Sequence, residues 1–295
     1  MCDERDFAEW DRKIAAKGLS RREFGALTGA AALAACAGGE TVAVEASMDA
    51  SGLVENRVLI DTEDGEMDAF FVHPSAGKYP AVIVWPDIAS LRESKRNIAR
   101  RLAGQGYAVL VANPYYRDVP GDRFESSVQF REAGGFQLVR PWREKLSSDA
   151  VMRDADALVS WLDGREAVDS ERGIGTQGYC MGGPFTVYTA HSRPDRVKAA
   201  ASFHGGGLVR EDEDSPHKIL EDGTSYLFAI AQNDDERDPD DKTALREAAE
   251  AAGVDAEVEV YAGDHGWTVP DNPAYVEGPA EKAWSRLLAL YEEAL

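Results

Sequence analysis

The chain has 295 residues, of which 44% are hydrophobic, so it can bury one large core of the size found in a single α/β domain. Its formal net charge is -21, from 53 acidic and 32 basic residues. A surface of this charge repels nucleic acid and anionic lipid, which argues against both as partners and favours a soluble enzyme with a small-molecule partner.

The N-terminal segment carries an export pattern. Arg21 and Arg22 precede Phe24 and a mildly apolar stretch that ends at Ala35. The pattern resembles a twin-arginine export signal, and at about 12 residues the stretch is shorter than the roughly 20 that a membrane span needs. Residues 1–46 are therefore predicted to be an export signal, which places the protein in the periplasm or otherwise outside the cytoplasmic membrane. The alternative is a cytoplasmic protein that keeps an N-terminal helix.

The three cysteines, Cys2, Cys36 and Cys180, have different interpretations. Residues 33–36 resemble a lipobox, in which Cys36 is lipidated and becomes the N-terminus; cleavage after Ala46 is the alternative. Membrane association is expected only if Cys36 is lipidated. Because no cysteine or histidine cluster has metal-ligand spacing, we predict no metal, no cofactor and no disulfide framework.

Residues 47–295 alternate between strand and helix patterns. Strands are predicted at 57–61, 69–73, 81–85, 107–112, 172–176, 198–203, 226–231 and 256–261. Helices are predicted at 94–105, 148–162, 184–191, 241–252 and 279–295. The polar segment 118–141 lacks periodicity and is predicted to be an excursion or lid over the active-site face. This alternation predicts one α/β domain, with a mostly parallel sheet covered by helices on both faces.

Cys180 lies between Gly178 and Gly182 in the sequence GYCMG, after a predicted strand and before a predicted helix. In α/β-hydrolases, a Gly-x-nucleophile-x-Gly turn in this context holds the nucleophile in a strained backbone conformation. Taken alone, a single cysteine is more often an inert small hydrophobic residue. The interpretation of Cys180 therefore depends on its partners.

Candidate partners follow two later strands. Asp234 and His265 each come just after a predicted strand, so nucleophile, acid and histidine occur in the chain order of α/β-hydrolases, at the carboxyl edge of the sheet. His265 would take the thiol proton, and Asp234 would fix the imidazole tautomer. Asp235 is a rival for the acid, and His204 is a candidate structural or pocket residue.

Two backbone N–H groups are needed to bind the oxyanion formed during acyl transfer. One normally comes from the residue after the nucleophile, which is Met181 here, and the other from a loop after an early strand. We assign the second to Ile88, which follows Trp85-Pro86-Asp87.

With these residues in place, the chain resembles the dienelactone hydrolase family of α/β-hydrolases from about Asp61 to the C-terminus. The resemblance rests on Asp234 and on segments 85–88, 101–103, 106–109, 113–117, 178–183 and 265–267. It implies a Cys-His-Asp triad that opens an ester or lactone through an acyl-enzyme intermediate. Cys180 would be the nucleophile, His265 the base and Asp234 its orienting acid.

The resemblance also implies roles for three further residues. Asp87 stands where the family has a glutamate that interacts with the resting cysteine. Arg117 matches an arginine that holds the substrate carboxylate, and Trp267 belongs to the motif around the histidine, where it is expected to contact substrate. A second carboxylate-binding arginine is replaced by Val269. The implied substrate is thus an ester, lactone or thioester with at most one anionic group.

Three functions remain open from the sequence. The favoured one is a cysteine-dependent ester or lactone hydrolase. The main alternative is a non-catalytic small-molecule-binding protein on a hydrolase fold. A redox thiol is disfavoured because the mature chain offers no resolving cysteine. The oligomeric state is not fixed by the sequence, and a monomer is favoured.

Overall fold

The computed structural model describes residues 47–48 and 52–295. The predicted export signal, including the lipobox at Cys36, lies outside these residues. The described strands form one nine-stranded sheet in the order β1-β2-β3-β5-β4-β6-β7-β8-β9. The strands are β1 (Ser47–Met48), β2 (Leu53–Thr62), β3 (Gly65–Pro74), β4 (Ala81–Trp85), β5 (Ala108–Ala112), β6 (Ile174–Tyr179), β7 (Val197–Phe203), β8 (Ser225–Ala231) and β9 (Ala256–Tyr261).

The sheet is mostly parallel, as predicted. Strands β1, β2, β3 and β5 pair antiparallel in turn, whereas β5, β4, β6, β7, β8 and β9 pair parallel. The hairpin of β2 and β3 is longer than its apolar alternation indicated, since pairing continues to Thr62 and Gly65 at the turn. Strands β4 and β5 are buried at every position, because helices cover both faces of the sheet there.

Helices cover the sheet on both sides. They are α1 (Glu93–Ala103), α2 (Ser127–Glu132), α3 (Gly135–Arg143), α4 (Ser148–Asp163), α5 (Gly183–Ser192), α6 (Gln232–Arg237), α7 (Asp241–Ala252) and α8 (Glu277–Ala294). The apolar sides of α1 and α8 pack into one core. Those of α4, α5 and α7 pack into the other. No helix in the described part of the chain is both long and apolar enough to cross a bilayer.

Three short helices depart from the predicted pattern. Helices α2 and α3 occupy the segment predicted as an aperiodic excursion, and α6 occupies residues 232–237, where a loop was predicted. Within the excursion, the Phe130 ring packs edge-on against Phe124 and Phe136, with centroids 4.9 and 5.0 Å away. Helices of one or two turns contain too few apolar positions to show a 3.6-residue period.

Candidate active site

Cys180 sits at a strained turn between β6 and α5. The turn is a single 3-10 turn over Cys180–Gly182, and Cys180 has a left-handed backbone with φ 53°. For a residue other than glycine, such a conformation costs on the order of 1–3 kcal/mol and persists only where its surroundings impose it. The side chain is almost fully buried. The structure thus contains the strand-to-helix elbow that the glycine spacing predicted.

The two glycines of the motif are needed for close backbone contacts. A Cβ atom on Gly178 would lie 1.9 Å from the carbonyl oxygen of Gly182. A Cβ atom on Gly182 would lie 2.5 Å from the carbonyl oxygen of Trp85. No side chain fits at either position, so the elbow packs directly against the end of β4, next to the loop that contains Ile88.

The structure pairs His265 with Asp234 and not with Asp235. His265 Nδ1 lies 2.7 Å from Asp234 Oδ2, and both side chains are largely buried. Asp235 is instead held by Lys242, whose Nζ lies 2.7 and 2.8 Å from its two carboxylate oxygens. The structure therefore places Asp234, and not Asp235, beside His265.

Two residues that the sequence analysis did not single out support this pair. The backbone N–H of His265 donates to Asn233 Oδ1 at 2.8 Å, which fixes the histidine loop to the start of α6. Arg237 Nη2 donates to Asp234 Oδ1 at 2.8 Å, one helical turn further on. Their spacing around Asp234 becomes informative only once α6 is known to be helical.

The electrostatics favour a charged histidine beside the thiol. Burial alone would lower the pKa of His265, but Asp234 and Cys180 both stabilise its cationic form through charge and hydrogen bonding, and its pKa stands well above the usual value. Burial alone would raise the pKa of Asp234. The charges of His265 and Arg237 have the larger, opposite effect, so the pKa lies below its usual value and the carboxyl stays ionised. Because Nδ1 faces Asp234, Nε2 is the nitrogen left for the sulfur. An imidazolium in this position stabilises a thiolate.

His204 packs against the catalytic histidine candidate. It follows β7 with a left-handed backbone of φ 42°, and its ring lies 4.8 Å from that of His265, edge to face. His204 Nε2 is 3.0 Å from Thr268 Oγ1. Burial and the nearby charges of His265 and Lys95 keep the pKa of His204 well below its usual value, so this ring is neutral. The position fits a structural or pocket residue.

Asp87 is bound by two buried cations. Arg92 donates to both carboxylate oxygens, at 2.7 and 2.9 Å. Lys95 Nζ forms a second ion pair, 2.8 Å from Oδ2. Burial would raise the pKa of Asp87, but these cations hold it far below the usual value. The carboxylate that was expected to act on the thiol is thus engaged with Arg92 and Lys95.

The two predicted oxyanion residues share one neighbour. The Tyr115 hydroxyl donates to the carbonyl oxygen of Ile88 at 3.1 Å and lies 3.3 Å from Met181 Sδ. Tyr115 and both of its partners are almost fully buried. Sequence reasoning placed Tyr115 only within the segment that carries the family resemblance; its contact with both sides of the site depends on the tertiary fold.

The two predicted substrate-binding side chains have other partners. Arg117 donates to Asp154 at 2.9 and 2.8 Å and to Asp64 at 2.6 Å. Trp267 is fully buried and stacks on Tyr261, with ring centroids 4.7 Å apart. Neither contact involves Cys180, Asp234 or His265, and both are explained by ion pairing and core packing.

A cavity of about 190 Å³ lies between α1 and α8 and is lined in part by Tyr179, Phe203 and Thr268. These three residues adjoin Cys180 and His204, but the triad itself does not line the cavity. Within the described ranges, no group of three or more histidine, cysteine, aspartate or glutamate side chains is arranged to hold a metal ion.

A mostly parallel sheet, a cysteine at the elbow after β6, an acid after β8 and a histidine after β9 together define an α/β-hydrolase. The chain belongs to the dienelactone hydrolase family, whose sequence profile matches residues 67–295. This membership makes it a hydrolase of the lactone and ester class.

Similarity to individual proteins extends over most of the chain. It is 29% identical over 248 residues to a protein of Methylorubrum extorquens named "Putative carboxymethylenebutenolidase", with 81% of each chain covered. A protein of the same name from Salmonella typhi is 28% identical over 242 residues, covering 79% of this chain and 85% of that one. The crystal structure of a "Putative Dienelactone Hydrolase" from Klebsiella pneumoniae superposes with a TM-score of 0.67 at 27% identity, covering 81% and 98% of the two chains.

Proposed function

We propose that the protein hydrolyses carboxylic esters or lactones through a Cys180-His265-Asp234 triad and an acyl-enzyme intermediate. One arrangement carries the proposal: a left-handed cysteine lies beside a buried histidine whose Nδ1 is 2.7 Å from an aspartate. The charge and hydrogen-bond coupling between Cys180 and His265 supports a thiolate-imidazolium pair in the resting enzyme.

Acylation begins with the thiolate. Cys180 Sγ attacks the carbonyl carbon, a C–S bond forms, and the C=O electron pair moves onto oxygen. The backbone N–H groups of Ile88 and Met181 are the proposed donors to this oxyanion, and one such donor is worth about 10²–10³ in rate. When the intermediate collapses, the C–O bond breaks and the departing alkoxide takes the proton from His265 Nε2.

Deacylation needs the histidine in its neutral form. Once Cys180 is acylated, its negative charge is gone, and with it one of the interactions that raise the pKa of His265. The pKa of His265 therefore falls in the acyl-enzyme, and the neutral imidazole can take a proton from water. The resulting hydroxide attacks the thioester, the C–S bond breaks, and the acid is released with the thiolate-imidazolium pair restored. Asp234 remains ionised throughout.

The charge pattern supports a substrate that carries little negative charge. Arg117 is already paired with Asp64 and Asp154, and Val269 contributes a buried apolar side chain where a second arginine would stand. A lactone or ester with at most one anionic group fits this arrangement. The names of the relatives, carboxymethylenebutenolidase and dienelactone hydrolase, also favour lactones.

The test compares wild type with Cys180→Ser and Cys180→Ala on a panel of p-nitrophenyl esters and of lactones with and without a carboxylate. We expect Cys180→Ala to abolish turnover, and iodoacetamide to label Cys180 and remove activity in parallel. His265→Gln is tested on the same panel, with His217→Gln as its matched control, because His217 lies outside the proposed triad. Labelling of Cys180 without loss of activity would refute the proposal. Equal, slow turnover by wild type and Cys180→Ala would favour a non-catalytic binding protein instead.

We also propose that the protein is exported by a twin-arginine route, with lipidation at Cys36 as the form that would bind a membrane. The support is the sequence around Arg21 and Arg22, since these residues lie outside the described structure.

A further inference from the structure

Arg92, the N-cap residue of α1, is completely buried and binds two carboxylates at once. Its guanidinium donates to both oxygens of Asp87, at 2.7 and 2.9 Å. It also donates to both oxygens of Asp271, at 2.8 and 2.9 Å, and to the carbonyl oxygen of Ser90 at 3.1 Å. Lysine cannot reproduce this double fork, because its ammonium group is a point charge.

The first segment held by Arg92 is the turn around Ile88. Asp87 Oδ1 accepts the N–H of Ala89 at 3.0 Å, and the carbonyl oxygen of Asp87 accepts the N–H of Ser90 at 2.8 Å. Ser90 has a left-handed backbone with φ 63°, which needs support from its surroundings. Arg92 therefore binds the chain on both sides of Ile88, at Asp87 before it and at Ser90 after it.

The second segment is the loop that carries the histidine. Asp271 follows His265 on this loop, which is folded by backbone hydrogen bonds from the N–H of Asn272 to the carbonyl oxygen of Val269 at 2.9 Å and from the N–H of Val276 to that of Trp267 at 3.1 Å. Arg92 therefore connects the turn around Ile88 to the loop of His265 through a buried side chain, although Arg92 and Asp271 are separated by 179 positions in the chain.

The third segment is the start of α2 in the predicted lid. Asp271 Oδ2 accepts the N–H of Ser127 at 3.0 Å, and the carbonyl oxygen of Asp271 accepts the Ser127 hydroxyl at 2.6 Å. One aspartate thus joins Arg92 to the start of α2. The three segments held together in this way are residues 87–90, 265–271 and 127–132.

Stability alone does not account for this cluster. Taking charges out of water is costly, and replacing buried ion pairs by apolar side chains is often neutral or stabilising. Asp87 and Asp271 nevertheless remain ionised, because Arg92 and Lys95 together lower their pKa values against the effect of burial. What the cluster provides is direction: each contact fixes a segment relative to the turn around Ile88 or to the loop of His265.

We propose that Arg92 is a positioning residue: it directs the Ile88 N–H of the proposed oxyanion site and holds that turn in register with the loop of His265 and with helix α2. The expected effect on rate rests on the proposed hydrolase function, whereas the connection between the three segments does not. Loss of Arg92 should weaken transition-state binding, so kcat should fall with little change in KM. Alkylation of Cys180 develops no oxyanion and should be unaffected.

The experiment uses Arg92→Met, Arg92→Lys and Asp271→Asn, with Arg100→Met as the matched control. Arg100 lies on the same helix and forms a bidentate pair with Glu55 away from the triad. Each full-length variant is assayed for kcat and KM on p-nitrophenyl acetate, for the rate of iodoacetamide alkylation, and for backbone hydrogen exchange in the three segments.

We expect Arg92→Met to lower kcat by about 10²–10³, comparable to loss of one oxyanion donor, with alkylation at the wild-type rate. Exchange should accelerate in all three segments together, and Arg92→Lys should be intermediate. Asp271→Asn should accelerate exchange at 127–132 and 265–271 while 87–90 stays protected. Arg100→Met should change none of these quantities.

Two results would overturn the proposal: an unchanged kcat in Arg92→Met, or a loss of alkylation that matches the loss of turnover, which marks a merely structural role. If wild type hydrolyses no ester or lactone, the proposed function fails. The hydrogen-exchange measurements then still decide whether Arg92 connects the three segments.

Discussion

Replacing Asp234 by asparagine removes the charge that faces His265 but keeps the side-chain shape. The two side chains are only 7% and 14% exposed, so solvent screens their interaction little. With charge centres about 4 Å apart and an effective dielectric constant of about 20, the pair is worth about 4 kcal/mol, or roughly 10³ in rate. Arg237 offsets part of this charge, and asparagine can still accept a hydrogen bond. We therefore expect kcat/KM to fall by about 10²–10³.

The same variant should change the pH profile. In wild type, Asp234 and the thiolate raise the pKa of His265, so the ion pair is present at neutral pH and is lost as pH rises through that value. Asp234→Asn removes one of these interactions and lowers the pKa of His265. The alkaline limb of kcat/KM, where His265 loses the proton needed by the leaving group, should therefore move to lower pH.

The assay is hydrolysis of p-nitrophenyl acetate from about pH 5 to about pH 10, alongside the rate of iodoacetamide alkylation, which should fall with the thiolate population. Asp235→Asn is the control: its pair with Lys242 is partly exposed, so it should change kcat/KM by less than about twofold. The reasoning fails if Asp234→Asn keeps wild-type kcat/KM and an unmoved alkaline limb, or if Asp235→Asn is the more damaging change.

Other predictions concern the elbow, the arginine pair and the N-terminus. Gly178→Ala would place a Cβ 1.9 Å from the Gly182 carbonyl oxygen, so we expect a loss of about 1–3 kcal/mol, visible as a melting temperature lower by roughly 3–10 °C. An unchanged melting temperature would contradict the close contact. Arg117→Met should destabilise the fold by about 3 kcal/mol in urea titration, because Asp154 is left buried without its cation and with only the Tyr116 hydroxyl donating to it; kcat/KM should be unchanged for neutral esters. A loss confined to carboxylate-bearing substrates would restore the clamp role. Mass spectrometry of the mature protein should find a lipidated Cys36 or a start after Ala46, and an intact N-terminus would contradict export.

The large elements of the fold could be predicted because their signals are local. Strands β4 and β5 are short runs of apolar residues, which predict buried strands. Helix α4 has an apolar stripe along one side, which predicts a helix. Helices α2, α3 and α6 gave no such signal, since six to nine residues hold too few turns. Their stability depends on contacts such as that of Phe130 with its aromatic neighbours, which sequence alone does not reveal.

The sequence predicted which residues form the candidate site and their order along the chain, but not which side chains each of them contacts. Cys180 and His265 stood out because the elbow glycines and the order of strands constrain them. Asp234 and Asp235 are adjacent and chemically identical, and only the orientation of α6 separates them. The Arg92 cluster was out of reach, because among so many charged residues nothing marks Asp271 as the partner of a distant arginine.

The family resemblance predicted where Arg117 and Trp267 lie in the chain better than it predicted which side chains they contact. Arg117 matches the arginine that holds the substrate carboxylate in the dienelactone hydrolase family. Its guanidinium nevertheless binds Asp64 and Asp154, which are far apart in the chain. Trp267 follows the histidine closely, but the direction of its side chain is set by packing on Tyr261.

Most of the atoms that crowd the elbow are backbone atoms: the carbonyl oxygens of Gly182, Trp85 and Pro86, joined by the Thr186 methyl group, fill the space beside Gly178 and Gly182. None of these contacts involves the tip of residue 180, so the scaffold itself does not distinguish sulfur from oxygen there. The surrounding charges therefore decide between thiol and hydroxyl chemistry. With cysteine they must stabilise a thiolate-imidazolium pair in the resting enzyme, whereas with serine they need to stabilise an ion pair only during the reaction. On this framework, a change of nucleophile is a one-atom step whose success depends on electrostatics and not on refolding.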